Sequence, residues 1–242
     1  FDAASMSLDA QRHWRHADSY SPDVAMSPDI RRRIIERSRY EAANNTWLRG
    51  LIDRLAADTI GTGVRLQLTL KDRAAAKRRE MRFSMWARKI KLAKKLRIAR
   101  IARIEAGEVF ILKVHNPKLS TINKMDLVLY EAEQVASPLT SISLDYHETG
   151  VPKEYDGILF DQYGNPEKYR FMRVHPGEKG GKWVYDSKLI DAAHVIHYFY
   201  EYRPGQHRGI PETISALSIF SDLRRYTEAV ISAAETAAAI SF

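Results

Sequence analysis

Asp156-Gly157-Ile158-Leu159-Phe160-Asp161 and Lys168-Tyr169-Arg170-Phe171-Met172-Arg173-Val174 flank Tyr163-Gly164-Asn165-Pro166. Two apolar, aromatic-rich runs on either side of a turn-forming Gly-Asn-Pro predict a β-hairpin. More strands surround it. Residues 108–115 and 126–135 are rich in Val, Ile, Leu, Phe and Tyr, and residues 195–200 combine β-branched and aromatic side chains that suit a pleated surface. Trp183-Val184-Tyr185 reads as a short strand between loops at His175-Pro176-Gly177 with Gly180-Gly181 and at residues 203–209. From Pro211 the pattern turns helical and continues to Phe242, with a last third of mostly Ala and Ser that suits close packing on another element.

Upstream of the strands the chain is helical. Residues 1–27 are polar and poorly periodic, an arm with Trp14 as its one large apolar anchor. Ser27-Pro28-Asp29 carries a cap, a first-turn proline and an acid at the positive end of the dipole, so a helix starts there and runs to about Ala43. Ile30, Ile34 and Arg37 or Ser38 lie along one side of it. Asn45 caps a second helix from Thr46 to about Ile60, whose Trp47, Leu48, Leu51, Ile52, Leu55 and Ala56 form a core-facing stripe. Gly61-Thr62-Gly63 ends it with a reversal, and residues 64–70 alternate as a half-buried strand. Residues 73–105 contain no Gly or Pro and favour one continuous helix, with Phe83, Trp86, Ile90, Ala93, Ile101 and Ile104 as its apolar stripe. The predicted class is α+β, a mixture of helices and antiparallel strands ending in a long helix. Its divisions are an arm at 1–27, a helical part at 28–105, a β-rich part at 106–208 and a long helix at 209–242. Gly61, Gly63, Gly164, Pro204, Gly205, Gly209 and Pro211 are read as structural turns.

A length of 242 residues allows one large domain or two small ones. The absence of cysteine excludes disulfides, thiolate nucleophiles and Cys-ligated metal sites. No apolar run is long enough for a membrane-spanning helix, and no charged-then-apolar leader opens the sequence. The final residues continue a helical pattern without a stop signal, so the expectation is a longer polypeptide. The charge is uneven. Residues 71–103 hold 14 bases and two acids, an excess of +12, which leaves −4 for the rest of a chain whose total is +8. Arg78, Arg82, Lys89, Lys94 and Arg97 are the expected outward contacts of this segment. Three readings stay open for them: a solvated face, a DNA-binding face, or a face for an acidic protein. The lack of an aromatic-rich patch among the charges favours DNA over a protein.

Catalytic sets are weak. His194 and His197 sit three apart on a predicted strand and so point to opposite faces, and His13 and His16 lie in the polar arm. Asp156, Asp161 and Glu167 bracket a turn, where acids serve local hydrogen bonds, although three carboxylates also invite a metal-nuclease reading. Gly61-Thr62-Gly63 follows a helix and precedes a strand, the reverse of a phosphate-cradling loop. Nucleophile-elbow, Walker and zinc-protease motifs are missing. No enzymatic activity and no cofactor is expected.

Several stretches, in order, resemble the N-terminal part of lambda-type phage portal proteins. They are Arg37-Ser38-Arg39 with Asn44-Asn45, residues 61–67, Ala106-Gly107-Glu108-Val109-Phe110, residues 157–169, His194-Val195-Ile196-His197, and residues 203–211. The departure lies at 71–105, where the family carries a longer, more mixed and more acidic segment. The resemblance implies the wing portion of a virion protein, with stem, clip and tunnel loop after residue 242. It implies a homo-oligomeric ring of twelve subunits at a capsid vertex, assembled in the host cytoplasm, through which double-stranded DNA is packaged and ejected. Implied partners are the major capsid protein, the terminase large subunit, the head–tail connector and a scaffolding protein, with no membrane. The other reading is a basic nucleic-acid-binding structural module of a different class.

Overall fold

The computed structural model describes residues 4–137, 145–178 and 186–240. Its helices are α1 (Leu8–His13), α2 (Pro22–Ala25), α3 (Pro28–Asn44), α4 (Thr46–Ile60), α5 (Arg73–Lys89), α6 (Leu92–Ala106) and α7 (Leu217–Ile240). Its strands are β1 (Glu108–His115), β2 (Met125–Tyr130), β3 (Glu154–Tyr155), β4 (Ile158–Phe160), β5 (Pro166–Met172), β6 (Ser187–Asp191) and β7 (Val195–Phe199). The class is α+β: two antiparallel sheets, ordered β2-β1-β7 and β3-β4-β5-β6, beside the helices, and a long helix last.

β1 carries the core because both of its faces are buried. Phe110 points into an aromatic cluster between the sheets, with Tyr155, Ile158, Phe160, Tyr169 and Phe171. Val109 and Ile111, one residue to either side, point the other way and receive Ala99 of α6. The period-two alternation of a strand thus joins the sheets on one side to the helices on the other. A second cluster, Ala42, Leu48, Ile52 and Ile104, packs α3, α4 and α6 together, with Leu217 and Phe220 of α7 against it. Asn45 fixes the α3–α4 corner. Its Oδ1 accepts the amides of Trp47 and Leu48, and its Nδ2 donates to the Phe220 carbonyl at 2.8 Å.

The long basic helix is two helices. Lys91 stands in the left-handed conformation at φ 56 and ψ 46. Ile90 and Leu92 are both buried. Residues two apart point about 200° from each other around a helix, so a straight helix would carry these two on different faces. The break lets α5 and α6 each find a partner. Residues 64–70 join no ladder; Val64, Leu66 and Leu70 are exposed. The outer edge of β2, where a further strand would add, is filled by side chains: Trp86 Nε1 donates to the Met125 carbonyl at 2.7 Å and Lys95 Nζ to that of Leu127 at 2.5 Å.

Four further expectations change. Asp156-Gly157 is a turn, not a strand start: φ values of 43 and 85 place two left-handed residues between β3 and β4, as a tight hairpin requires. Trp14 is half exposed and anchors nothing, stacking edge-on with His13. On α4 the row Leu48, Ile52 and Ala56 is buried while Trp47, Leu51 and Leu55 face outward. After Pro211 the chain makes a short 3-10 turn, Ile214–Ala216, before α7 begins at Leu217. Trp183-Val184-Tyr185 and Gly180-Gly181 lie outside the described residues.

Candidate functional site

The charged surface is built by the α5–α6 pair. Asp72 caps α5 by accepting the amides of Ala74 and Ala75. Three bases of the segment turn inward. Lys95 pairs with Asp126 at 2.6 Å, and Arg100 and Arg103 share Glu212 at 2.7 and 2.8 Å. Arg103 also lies over the Tyr198 ring, 4.8 Å from its centre. Asp126 and Glu212 are both held below the usual carboxylate range: burial alone pushes each up, and bonds to Lys95 with Asn116, or to Arg100 with Arg103, outweigh it. Arg78, Arg82, Lys89, Lys94 and Arg97 are exposed, and no ion pair neutralises any of them among the described residues. The five cations expected to face outward do so, on two helices rather than one.

Behind this surface lies a cluster of buried charge. Glu108, fully buried, accepts from Arg31 Nη1 at 2.5 Å, Arg208 Nε at 2.8 Å and Nη2 at 2.6 Å, the Gly209 amide at 2.7 Å, and His197 Nε2 at 2.8 Å. Asp156, carried on the β3–β4 turn, meets Arg31 and Arg208 as the second anion. Arg208 also donates to the carbonyls of Ala132, Val135 and Asp156. Two guanidiniums therefore face two carboxylates. Burial drives His197 toward its neutral form, so it donates Nε2–H to Glu108 without adding a charge. Burial alone would raise the Glu108 carboxyl, but Arg208 and Arg31 outweigh it and hold the group far below its ordinary value. The cluster ties α3, β1, β7, the β3–β4 turn and the loop before α7 to one point.

That loop is itself pinned. Gln206 Oε1 accepts the amides of Tyr202 and Arg203, and its Nε2 donates to the carbonyls of Tyr200 and Arg208. His207 Nδ1 lies 2.6 Å from Asp23 of α2, which draws the end of the arm onto the body. A Cβ on Gly107 would stand 2.4 Å from the Ile210 backbone, and one on Gly209 would stand 2.3 Å from the Gly107 oxygen. Gly209 is thus a close-approach residue, and Pro211 beside it is fully buried. Gly61, Gly63, Gly164 and Gly205 all have positive φ, and Pro204 is exposed in its loop.

The weak chemical sets do not assemble. His194 is exposed while His197 is inside the cluster. Asp161 accepts the amides of Tyr163 and Asn165 in its own turn, Asp156 is taken by arginines, and Glu167 is exposed. Glu131, Glu133 and His175 do come together. Arg39 already occupies both carboxylates, at 3.2 Å and 2.5 Å. His175 Nδ1 accepts the Gly177 amide, so Nε2 carries the proton and offers no lone pair to a metal. The buried cluster was missed from sequence, although Glu108, His197, Arg208 and Gly209 fall within three of the stretches that carry the family resemblance.

A helix-and-sheet body with an internal ionic clasp and a one-sided basic surface suits a structural protein, and the family match places the chain in a structural class. The chain belongs to the lambda family of phage portal proteins, whose sequence model matches residues 9–242. No curated protein matches it. Membership makes it a structural component of a bacteriophage virion, of a family that forms oligomeric rings and interacts with capsid and terminase.

Proposed function

We propose that this chain is the wing portion of a ring-forming portal subunit at one capsid vertex, with α7 leading toward the stem, through which double-stranded DNA is packaged and later ejected. In this reading twelve copies form the ring in the host cytoplasm, against the major capsid protein and, during assembly, a scaffolding protein. The terminase large subunit docks first and supplies the energy, and the head–tail connector follows; the portal chain itself catalyses nothing. The observation that carries the reading, beyond family membership, is on α7. Ile219, Leu223, Tyr226 and Val230 are spaced four, three and four apart, the seam of a packed helix, and all four are exposed. A helix pairing with its neighbour in a ring would cover that seam. Electron microscopy of the full-length polypeptide tests it. Rings with a central hole are expected for the wild type and none for Leu223→Glu with Val230→Glu; a wild type that forms no ring would refute it.

The outward cations Arg78, Arg82, Lys89, Lys94 and Arg97 would then form a positive belt that lies against packaged DNA. Phosphate contacts release counterions, so affinity should fall with salt at a slope near −0.9 per phosphate contacted. Duplex binding is measured against salt for the wild type and for Lys89, Lys94 and Arg97 changed to Gln. A shallower slope in the variant is expected, and identical affinity and slope would end the DNA reading.

A further inference from the structure

Residues 63–70 run without turn, bend or helix alongside α5 and the start of α6, and between them lies an open groove of about 710 Å³. Among the described residues, the main chain from Val64 to Leu70 has one partnered group, the Leu68 amide, which donates to Glu80 Oε1 at 2.8 Å. The remaining amides and carbonyls form an open edge, the kind of surface that pairs with another chain. Val64, Leu66, Met81 and Phe83 give the groove apolar walls. Gly63 seats the segment against the helix: a Cβ there would stand 2.8 Å from that of Ala93.

The charge of the groove is one-sided. Arg65, Lys77, Arg88, Lys91 and Lys94 line it, and the one acid in its wall, Glu80, is already engaged by the Leu68 amide. Of the outward cations assigned to DNA, only Lys94 belongs to this lining. Duplex DNA does not fit such a place. Its phosphates gain nothing from apolar walls or from an open backbone edge. A polypeptide fits every feature at once. Its backbone meets the open edge, alternate apolar side chains enter the groove, and acidic residues between them meet the rim.

We propose that this groove captures an acidic, extended segment of another protein, with apolar side chains at every second position, as a strand added to residues 64–70. The site shares Lys94 with the belt assigned to DNA and is otherwise lined by other residues, and it does not depend on ring formation.

The probe is a fluorescent synthetic peptide alternating Glu with Val and Leu. Its control has the same composition with the acids grouped at one end and the apolar residues at the other. Binding to the chain is followed by anisotropy for the wild type and three variants, each checked by thermal melting. Lys77→Glu with Arg88→Glu reverses two rim charges that are not part of the belt. Leu66→Asp spoils the apolar wall. Arg78→Glu with Arg82→Glu alters the outer face only. The alternating peptide should bind, and lose at least about tenfold in affinity in either groove variant while staying within about twofold in the outer-face variant. Equal binding of the grouped control would reduce the site to bare charge and overturn the proposal. So would equal loss in the outer-face variant, no binding, or displacement of the peptide by a short duplex. Concentration-dependent self-association that disappears in the groove variants would assign the groove to a second copy of the chain instead, and overturn it equally.

Discussion

Changing Glu108 to Gln keeps the shape of the side chain and removes its charge. In the wild type two guanidiniums, Arg31 and Arg208, face the carboxylates of Glu108 and Asp156 with side chains almost wholly out of solvent. After the change two cations share one anion. The new amide also presents donors where Arg31, Arg208, the Gly209 amide and His197 all donate already. Breaking a buried pair by removing one partner costs about 3–5 kcal/mol. For a chain of this size each kcal/mol lowers the melting temperature by roughly 2–4 °C, so a fall of roughly 6–20 °C is expected. The assay is urea unfolding followed by circular dichroism, with a thermal melt alongside. Two further variants give the number its meaning. Asp58→Asn breaks an exposed pair with Arg54 and should leave the melt unchanged. Glu108→Gln combined with Arg208→Met leaves Arg31 with Asp156, a neutral remainder, and should be less unstable than the sum of the single changes. A loss below about 1 kcal/mol in Glu108→Gln, or strict additivity in the double variant, would refute the idea that these charges hold the fold as a unit.

The remaining predictions concern the backbone and pH. Gly107→Ala should cost more stability than Gly61→Ala, since both have positive φ but only Gly107 also lacks room for a Cβ; Gly61→Ala should itself cost more than about 1 kcal/mol, and urea unfolding of the two variants ranks them. Lys91→Gly removes a left-handed side-chain penalty and should be neutral or stabilise by up to about 1 kcal/mol, while Lys91→Val should destabilise, both read from melting temperature. Burial lowers the His197 value in the folded state, so below about pH 6.5 the unfolded chain takes up a proton first and stability falls as pH falls. His197→Gln should flatten that part of the stability–pH curve, and an unchanged curve would count against a buried neutral imidazole.

Much of the fold could be read from residue type and spacing. The start of α3 is signalled by Pro28-Asp29 in its first turn, although Ser27 makes no side-chain cap bond, and the α3–α4 corner is signalled by Asn45, whose Oδ1 accepts the nearby amides of Trp47 and Leu48. The β4–β5 hairpin is signalled by Gly164-Asn165-Pro166 in the same way. Where the reading failed, the deciding partner was distant. Residues 64–70 have the alternation of a strand, but a strand needs an edge, and Trp86 and Lys95 have closed the edge of β2. Ile90-Lys91-Leu92 carries no Gly or Pro to signal a break, and the left-handed Lys91 stands between two buried residues, one closing α5 and one opening α6. On α4, two parallel apolar rows look alike in sequence, and only the position of α6 decides that Leu48 goes in and Trp47 stays out.

The same logic separates the two kinds of charge in this chain. A basic segment announces itself by composition, so the outward faces of α5 and α6 were legible in the sequence, yet composition cannot tell Lys95, Arg100 and Arg103 from Lys94 and Arg97. The difference lies in Asp126 and Glu212, up to 112 residues away, which hold the first three against the body. Glu108, Asp156 and Arg208 are harder still, because each looks ordinary alone: an acid after a glycine, an acid in a turn, an arginine in a loop. The cluster needs all of them together, since any member left without its partners would be an unpaired charge in a closed interior. Glu108, His197 and Arg208 fall within three of the stretches that carry the family resemblance, 106–110, 194–197 and 203–211, and the clasp draws these distant stretches together with Arg31 and Asp156, which lie outside them. The basic α5–α6 pair, where the resemblance departs, supplies none of the clasp residues. The outward charge of that pair is therefore separate from the charge that holds the fold together.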